Sequence, residues 1–262
     1  MHSHHDELLA GLDPTRRFSD RAADYVKWRP DYPVAAYDCM LDGLDPPETL
    51  VAADIGAGTG ISSRQLADRG PRVIAIEPNA AMRDAATPHP RVEWRDGSAE
   101  ATNLDLESVD LVLAAQAFHW FRHGDAIPEF TRILRADGRL IVMWNTRSRR
   151  DPLTKAYIEA VHAVNGESAV EKMDLDVPGI VSHTGEFDVP ELHEFPHAQR
   201  MPLEGFIGRA ASASYVPKEG EAFERLKAML TSIYERYREP DGLVTMEYVT
   251  QVWCSRKVEP TA

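Results

Sequence analysis

Val51-Ala52-Ala53-Asp54-Ile55-Gly56-Ala57-Gly58-Thr59-Gly60 passes without a break from a short apolar run into three alternating glycines. The run Val51 to Ile55 reads as a buried strand. Ile61 to Arg69 reads as a helix closed by Gly70-Pro71. Glycine lets the chain turn sharply and lets a ligand approach its backbone, so strand, loop and helix together describe a binding turn. The spacing is Gly-x-Gly-x-Gly, whereas a dinucleotide turn wants Gly-x-Gly-x-x-Gly. The lysine of a phosphate-cradling loop is missing. Asp54 at the strand end would repel a pyrophosphate but would hold a cationic amino group, directly or through water.

Working outward, the same rhythm repeats. Arg72 to Glu77 gives a second strand and Ala80 to Ala86 a short helix. Val92 to Arg95 is strand-like, and Val109 to Ala114 is apolar enough to be buried on both faces. Asp125 to Ala136 reads as a helix, and Gly138 leads into the strand LIVMWN. Five strands separated by helices predict an α/β fold with a parallel sheet covered on both sides. Before the loop, Phe18, Ala22 and Tyr25 recur at helical spacing until Pro30 and Pro33 stop them, and a second helix is expected from Pro33 to Leu44. After it, helices are expected at Leu153 to Val164 and Ala222 to Tyr237, the latter with Phe223, Leu226, Leu230, Ile233 and Tyr237 on one face. Leu192 to Arg200 reads as an edge strand, because Pro196 argues against a central place. Tyr248 to Val258 reads as the last strand.

Composition narrows the function classes. The 262 residues suit one large α/β domain or two small ones, and we read one. Forty-two acidic against 29 basic residues give a net charge of −13, which repels nucleic-acid backbones. Cys39 and Cys254 are the only cysteines, so neither a disulfide scaffold nor a zinc ribbon is expected. The opening MHSHHDELLAGLDP has no apolar signal segment and no run of 18 apolar residues follows, which reads as a soluble, cytoplasmic protein without membrane insertion. His2, His4 and His5 are not read as a designed metal site, and no metal is expected.

Strand ends carry the candidate binding residues. Glu77, followed by Pro78 and Asn79, stands where a carboxylate accepts ribose hydroxyls. Met82 fits an adenine face or the core equally. Asp96-Gly97-Ser98-Ala99 after the third strand suits the amino edge of adenine or a plain surface turn. After the fourth strand, Ala115-Gln116-Ala117-Phe118-His119-Trp120-Phe121 would wall a pocket, and aromatic faces suit an approaching sulfonium.

DIGAGTG (54–60), the acid of IEPN (76–79), DGSAEATNLDLESVDLVLAAQAFHWF (96–121) and GRLIVMWN (138–145) together resemble the class I S-adenosylmethionine-dependent methyltransferases. More narrowly, they resemble the small-molecule branch that includes ubiquinone/menaquinone-biosynthesis and trans-aconitate methyltransferases. FSDRAADYVKWRPDYP (18–33) resembles that branch's N-terminal helical cover. The resemblance implies a Rossmann-like, seven-stranded, mostly parallel sheet of order 3-2-1-4-5-7-6 with strand 7 antiparallel. It divides the chain into a cover (14–45), a cofactor core (46–150) and a substrate-side elaboration with the final strands (151–262). It also implies that Gly56, Ala57, Gly58 and Gly60 cradle the methionyl part and ribose of S-adenosylmethionine. Asp54 would support the amino end, Glu77 the ribose, and Pro78, Asn79 and Met82 the adenine. Asp96, Gly97, Ser98 and Ala99 would approach its polar edge, with Gln116 beside the sulfonium.

Methyl transfer from a sulfonium is an in-line displacement that asks mainly for alignment and desolvation. His119 is the best candidate base, or a hydrogen-bonded part of the pocket wall that touches the acceptor. Tyr25 covers the cofactor, takes part at the acceptor or simply packs, and Arg29 suits an anionic end of the cofactor or caps its helix in solvent. Trp120, Trp144, Arg149, Arg209 and Tyr215 are candidate acceptor-binding residues, the arginines suiting a carboxylate. The expected partner is a small-molecule methyl acceptor. The alternatives are a non-catalytic S-adenosylmethionine-binding regulator and an NAD-dependent oxidoreductase, which the glycine spacing disfavours. A DNA amino-methyltransferase would carry Pro-Pro-aromatic where Ala115-Gln116-Ala117-Phe118 stands.

Overall fold

The computed structural model describes residues 26–166, 175–213, 216–217 and 219–258. Seven strands form one sheet: β1 (Val51–Ile55), β2 (Arg72–Ile76), β3 (Val92–Arg95), β4 (Val109–Ala115), β5 (Leu134–Arg147), β6 (Glu191–Met201) and β7 (Val244–Arg256), in the spatial order β3-β2-β1-β4-β5-β7-β6. The pairs from β3 to β5 are parallel. β7 runs antiparallel to both β5 and β6, so the Rossmann-like order inferred from the motifs is the one present. Pro196 lies on β6 at the sheet's edge, where a missing N–H is tolerated.

Strand alternation sorts the core into two faces. Ala53, Ile55, Ile74, Ile76, Val112, Ala114, Leu140 and Val142 meet Ala126, Ile127, Phe130 and Ile133 of one helix, α4 (His123–Ile133). On the opposite face Ala52, Val73, Leu111, Leu113, Ile141 and Met143 meet α1 (Val34–Leu41) and α2 (Ile61–Asp68). Each fully buried aliphatic side chain contributes roughly 1.5–3 kcal/mol of hydrophobic stabilisation. Both faces of β4 are covered, Val112 and Ala114 on one side and Leu111, Leu113 and Ala115 on the other, which is why LVLAA reads as a run without alternation. The short α3 (Ala80–Asp84) links β2 to β3, its first turn capped by the Asn79 side chain, which accepts from Met82 N–H at 3.3 Å.

A third body of apolar packing joins α5 (Pro152–Asn165), α7 (Leu203–Ala211) and α8 (Glu221–Tyr237) to Val244, Met246 and Tyr248 of β7. The two short helices α6 (Val177–Ser182) and α7 carry no periodicity that the sequence reading used. The helix expected to reach Ala136 ends at Ile133 instead, because Leu134 already pairs with Val109 of β4. Asp137, at φ +60°, then breaks the register before Arg139 resumes pairing with Leu111. The last strand begins at Val244, four residues before the expected start.

Residues 26–33 are tied to the body from several sides. Gly205 and Gly208 of α7 leave room for the Trp28 indole; a Cβ on Gly205 would come within 2.7 Å of its ring. Lys27 pairs with Glu204 at 2.6 Å, and Gln199 Nε2 donates to Trp28 O at 3.0 Å. Gln65 of α2 accepts from Tyr32 N–H and donates to Tyr32 O. This segment therefore bridges α7 and α2 across the carboxyl ends of the central strands. Residues 14–25 of the expected cover lie outside the described residues.

Candidate functional site

The glycine loop leaves β1 by borrowing hydrogen bonds from its neighbour: Gly56 and Ala57 N–H both donate to Ile76 O. Gly56 (φ +68°) and Gly60 (φ +75°) occupy the left-handed region, where a side chain costs roughly 1–2 kcal/mol. Space forbids one as well: a Cβ on Gly56 would lie 2.8 Å from the Ala117 Cβ, and one on Gly60 2.6 Å from the Trp94 ring. Glu77 then locks the turn. Its Oε2 accepts from Gly58 N–H and its Oε1 from Asn79 N–H, each at 2.9 Å. Burial raises the Glu77 carboxyl, against those two N–H groups and the Arg83 charge. Each oxygen keeps a further lone pair for a hydroxyl donor.

A cleft of about 420 Å³, mouth included, opens where the strand order reverses between β1 and β4, the usual ligand position of such sheets. Its floor is Gly56, Ala57, Ile61 and Ser62; its wall is Ala115, Gln116 and Asn145; its cover is Arg29, Pro30, Tyr32 and Arg209. Gln116 is held in the left-handed region (φ +56°) by its N–H bond to Met143 O at 2.8 Å, and its Nε2 donates to Asn145 O at 3.1 Å. Asn145 in turn donates to Asp31 O at 2.8 Å and accepts from Thr250 Oγ1 at 2.5 Å. Arg29 Nη2 donates to Ser212 O at 3.2 Å. Arg209 is only 5% exposed, and its Nε has no hydrogen-bond partner among the described residues.

The structure gathers Arg29, Gly56, Ala57, Gln116 and Arg209 around this cleft. Asp54 lies beneath it, wholly buried, with Oδ2 accepting from Ser62 and Ser63 Oγ at 2.7 and 2.6 Å and Oδ1 unpartnered among the described residues. Burial pushes its carboxyl up to about 6, against the two serine hydroxyls that stabilise the charged form. Pro78 is half-buried, while Asn79, Met82 and Ala99 are buried and Asn79 is engaged in capping α3. Gly97 packs against Ile76 and the Ala101 and Thr102 carbonyls, and Ser98 bridges to Ala101. Asp96 is largely exposed and pairs with Arg83 at 2.9 Å.

Other expected positions fall outside the cleft lining. His119 and Trp120, half-buried in the turn Phe118–Trp120, hold their rings 4.7 Å apart. Trp144 projects to the α4 face and meets Phe118 edge-on at 6.4 Å; alternation gives the cleft its neighbour Asn145 instead. Arg149 is exposed. Tyr25 and Tyr215 lie outside the described residues. Sequence reasoning missed Tyr32, Ser62 and Asn145, although a polar residue closing a buried central strand was a usable signal for Asn145.

Comparison with known proteins agrees with this architecture. The family described as "Methyltransferase domain" matches residues 53–142, from β1 into β5. An uncharacterized methyltransferase-like protein of Schizosaccharomyces pombe is 37% identical over 228 residues, spanning 86% of this chain and 80% of its own. An uncharacterized methyltransferase of Mycobacterium bovis is 33% identical over 204 residues, spanning 78% and 79%. Among solved structures, one assigned as a type II methyltransferase from Anaeromyxobacter dehalogenans superposes with a TM-score of 0.65 at 25% identity, over 87% of this chain and 97% of that one. Among the described residues no helix is long and apolar enough to cross a membrane. Motifs, sheet order and relatives converge: the chain belongs to the class I S-adenosylmethionine-dependent methyltransferases.

Proposed function

We propose that this enzyme, acting in the cytoplasm, methylates a small acceptor that carries a carboxylate, held in the cleft by Arg209. The observation that carries the reading is a buried guanidinium at the cleft whose Nε has no hydrogen-bond partner among the described residues. A buried charge without a full set of partners is costly, and a planar fork suits a carboxylate.

The residues present fit the cofactor. Gly56 presents bare backbone to the cleft, and each Glu77 oxygen keeps a lone pair for the ribose diol. In this reading Gly56, Ala57, Gly58 and Gly60 hold the methionyl part and ribose. Pro78, Asn79, Met82 and Ala99 flank the adenine, with Asp96, Gly97 and Ser98 at its polar edge. Asp54 is a positioning residue, because it reaches the cleft only through Ser62. Gln116 orients the reacting end and Arg29 holds the amino-acid carboxylate. Residues 46–150 then serve as the cofactor core, 14–45 as the cover and 151–262 as the acceptor side.

Bound S-adenosylmethionine supplies a methyl group already activated on a sulfonium. The chain's task is to align the acceptor and keep water out. A carboxylate nucleophile has no proton to lose, so neither His119 nor Tyr25 is required as a base. Tyr25 and Tyr215 shape the acceptor side together with Arg209, while Trp144 is turned to the other face of the sheet.

A panel of carboxylic acids and the matching primary amides, followed by release of S-adenosylhomocysteine, tests the reading. Turnover is expected with acids and not amides. Arg209→Gln should raise the acceptor KM by roughly 10–150-fold, the equivalent of one charged hydrogen bond of about 1.5–3 kcal/mol, and leave cofactor affinity unchanged. Equal turnover of acids and amides, or loss of cofactor binding in Arg209→Gln, would refute it.

A further inference from the structure

The chain's two cysteines meet. Cys39 lies on α1 and Cys254 on β7, far apart in sequence, yet their sulfurs lie within 4.8 Å of each other. His193 of β6 completes a group whose donor atoms all lie within 4.8 Å of one another. The register accounts for this. Glu191 pairs with Cys254 and His193 with Val252, so Cys254, Glu191 and His193 project from the same face, and α1 packs on that face with Met40 and Leu41 in the shared apolar cluster.

We propose that Cys39, His193 and Cys254 form a binding site for a soft d10 cation, zinc in the first instance. Two sulfurs and an imidazole are the donor set such ions prefer. Two thiolates neutralise a divalent ion, and partial exposure of all three residues leaves a fourth position for water. Burial raises both thiols, Cys254 to about 12, and Arg139, whose Nη1 donates to Met40 O at 3.0 Å, offsets part of that cost with its charge. Glu191 Oε1 lies 3.7 Å from His193 Nε2, placing a carboxylate where it can steady the ring.

The site is separate from the methyl-transfer cleft. Cys254 pairs with Ile141 and Thr250 with Asn145; four residues of strand separate the two levels, roughly 13 Å at 3.3–3.4 Å per residue. Its role is therefore to clamp α1 to the β6–β7 edge. The clamp holds from behind the segment 26–33, which continues into α1 and covers the cleft.

Titration of the reduced, full-length protein with Zn2+ against a chromophoric chelator, with Co2+ as the spectroscopic probe, tests the site. One equivalent should bind, with thiolate-to-cobalt charge-transfer bands and the strong d–d absorption of a tetrahedral ion. The Cys39→Ser/Cys254→Ser variant should lose both signals, and His193→Ala should bind more weakly. Binding that persists without the cysteines, as His2, His4 and His5 could produce, would overturn the proposal. In wild-type protein Zn2+ should protect both thiols from alkylation, a readout that needs no variant. Failure to protect them, or isolation of a Cys39–Cys254 disulfide whose reduced form binds no zinc, would also overturn it.

Discussion

Replacing Glu77 by glutamine tests the loop and the ribose site in a single residue. The carboxylate accepts Gly58 N–H on one oxygen and Asn79 N–H on the other. A carboxamide has one acceptor and one donor end, so either orientation sets an NH2 group against a backbone N–H. Leaving a buried N–H unsatisfied costs roughly 1–3 kcal/mol. For a chain of this size that is a fall in Tm of about 2–10 °C. The ribose diol also loses one charged acceptor, about 1.5–3 kcal/mol, or roughly 10–150-fold in affinity. Glu77→Gln should therefore melt earlier and bind S-adenosylhomocysteine at least about tenfold more weakly by calorimetry. A normal Tm with weak binding would mean that the two N–H bonds do not organise the loop. Lowered Tm with unchanged affinity would remove Glu77 from the ribose site.

Asp54 should show itself in the pH dependence of stability. Its folded carboxyl, near 6, lies above the ordinary 3.8, so the folded state holds the proton more tightly. The associated stability is present below 3.8 and lost as pH rises through about 6. From pH 7 to pH 5 the wild type should gain about 1 kcal/mol on Asp54→Asn in urea unfolding, and parallel curves would refute the assignment. Gln116→Gly relieves a left-handed side chain worth roughly 1–2 kcal/mol, close to the lost bond to Asn145. Stability should hardly move while methyl transfer falls, and a large drop in Tm would show Gln116 to be structural. Gly208→Ala drives a Cβ into the Trp28 indole, an overpacking of roughly 1–3 kcal/mol. Trp28 fluorescence should shift and cofactor affinity drop; an unchanged spectrum would mean that the segment docks some other way.

Local backbone demands were legible in the amino-acid order. The alternating glycines, the apolar runs of β1, β4 and β5, and the acid ending β2 report on their own neighbourhoods, and those neighbourhoods define this fold. Pro196 pointed to an edge strand for the same reason, since a missing N–H is a property of one residue. The helix boundary at Ile133 was not legible, because it depends on Leu134 finding Val109 in another strand.

What sequence alone determined is the binding turn, the sheet order implied by its motifs and the family. The turn follows from φ preferences, strand alternation and side-chain chemistry within a few residues; the sheet order and the family follow from the resemblance of those motifs to the methyltransferases. Tertiary structure alone decided that Asn145 rather than Trp144 faces the cleft, that Asp54 lies beneath it, and that Arg209 of α7 closes it. It also decided that Cys39, His193 and Cys254 meet. These are matters of which distant elements pack together, and that is set by the summed burial of whole faces, which no local pattern encodes.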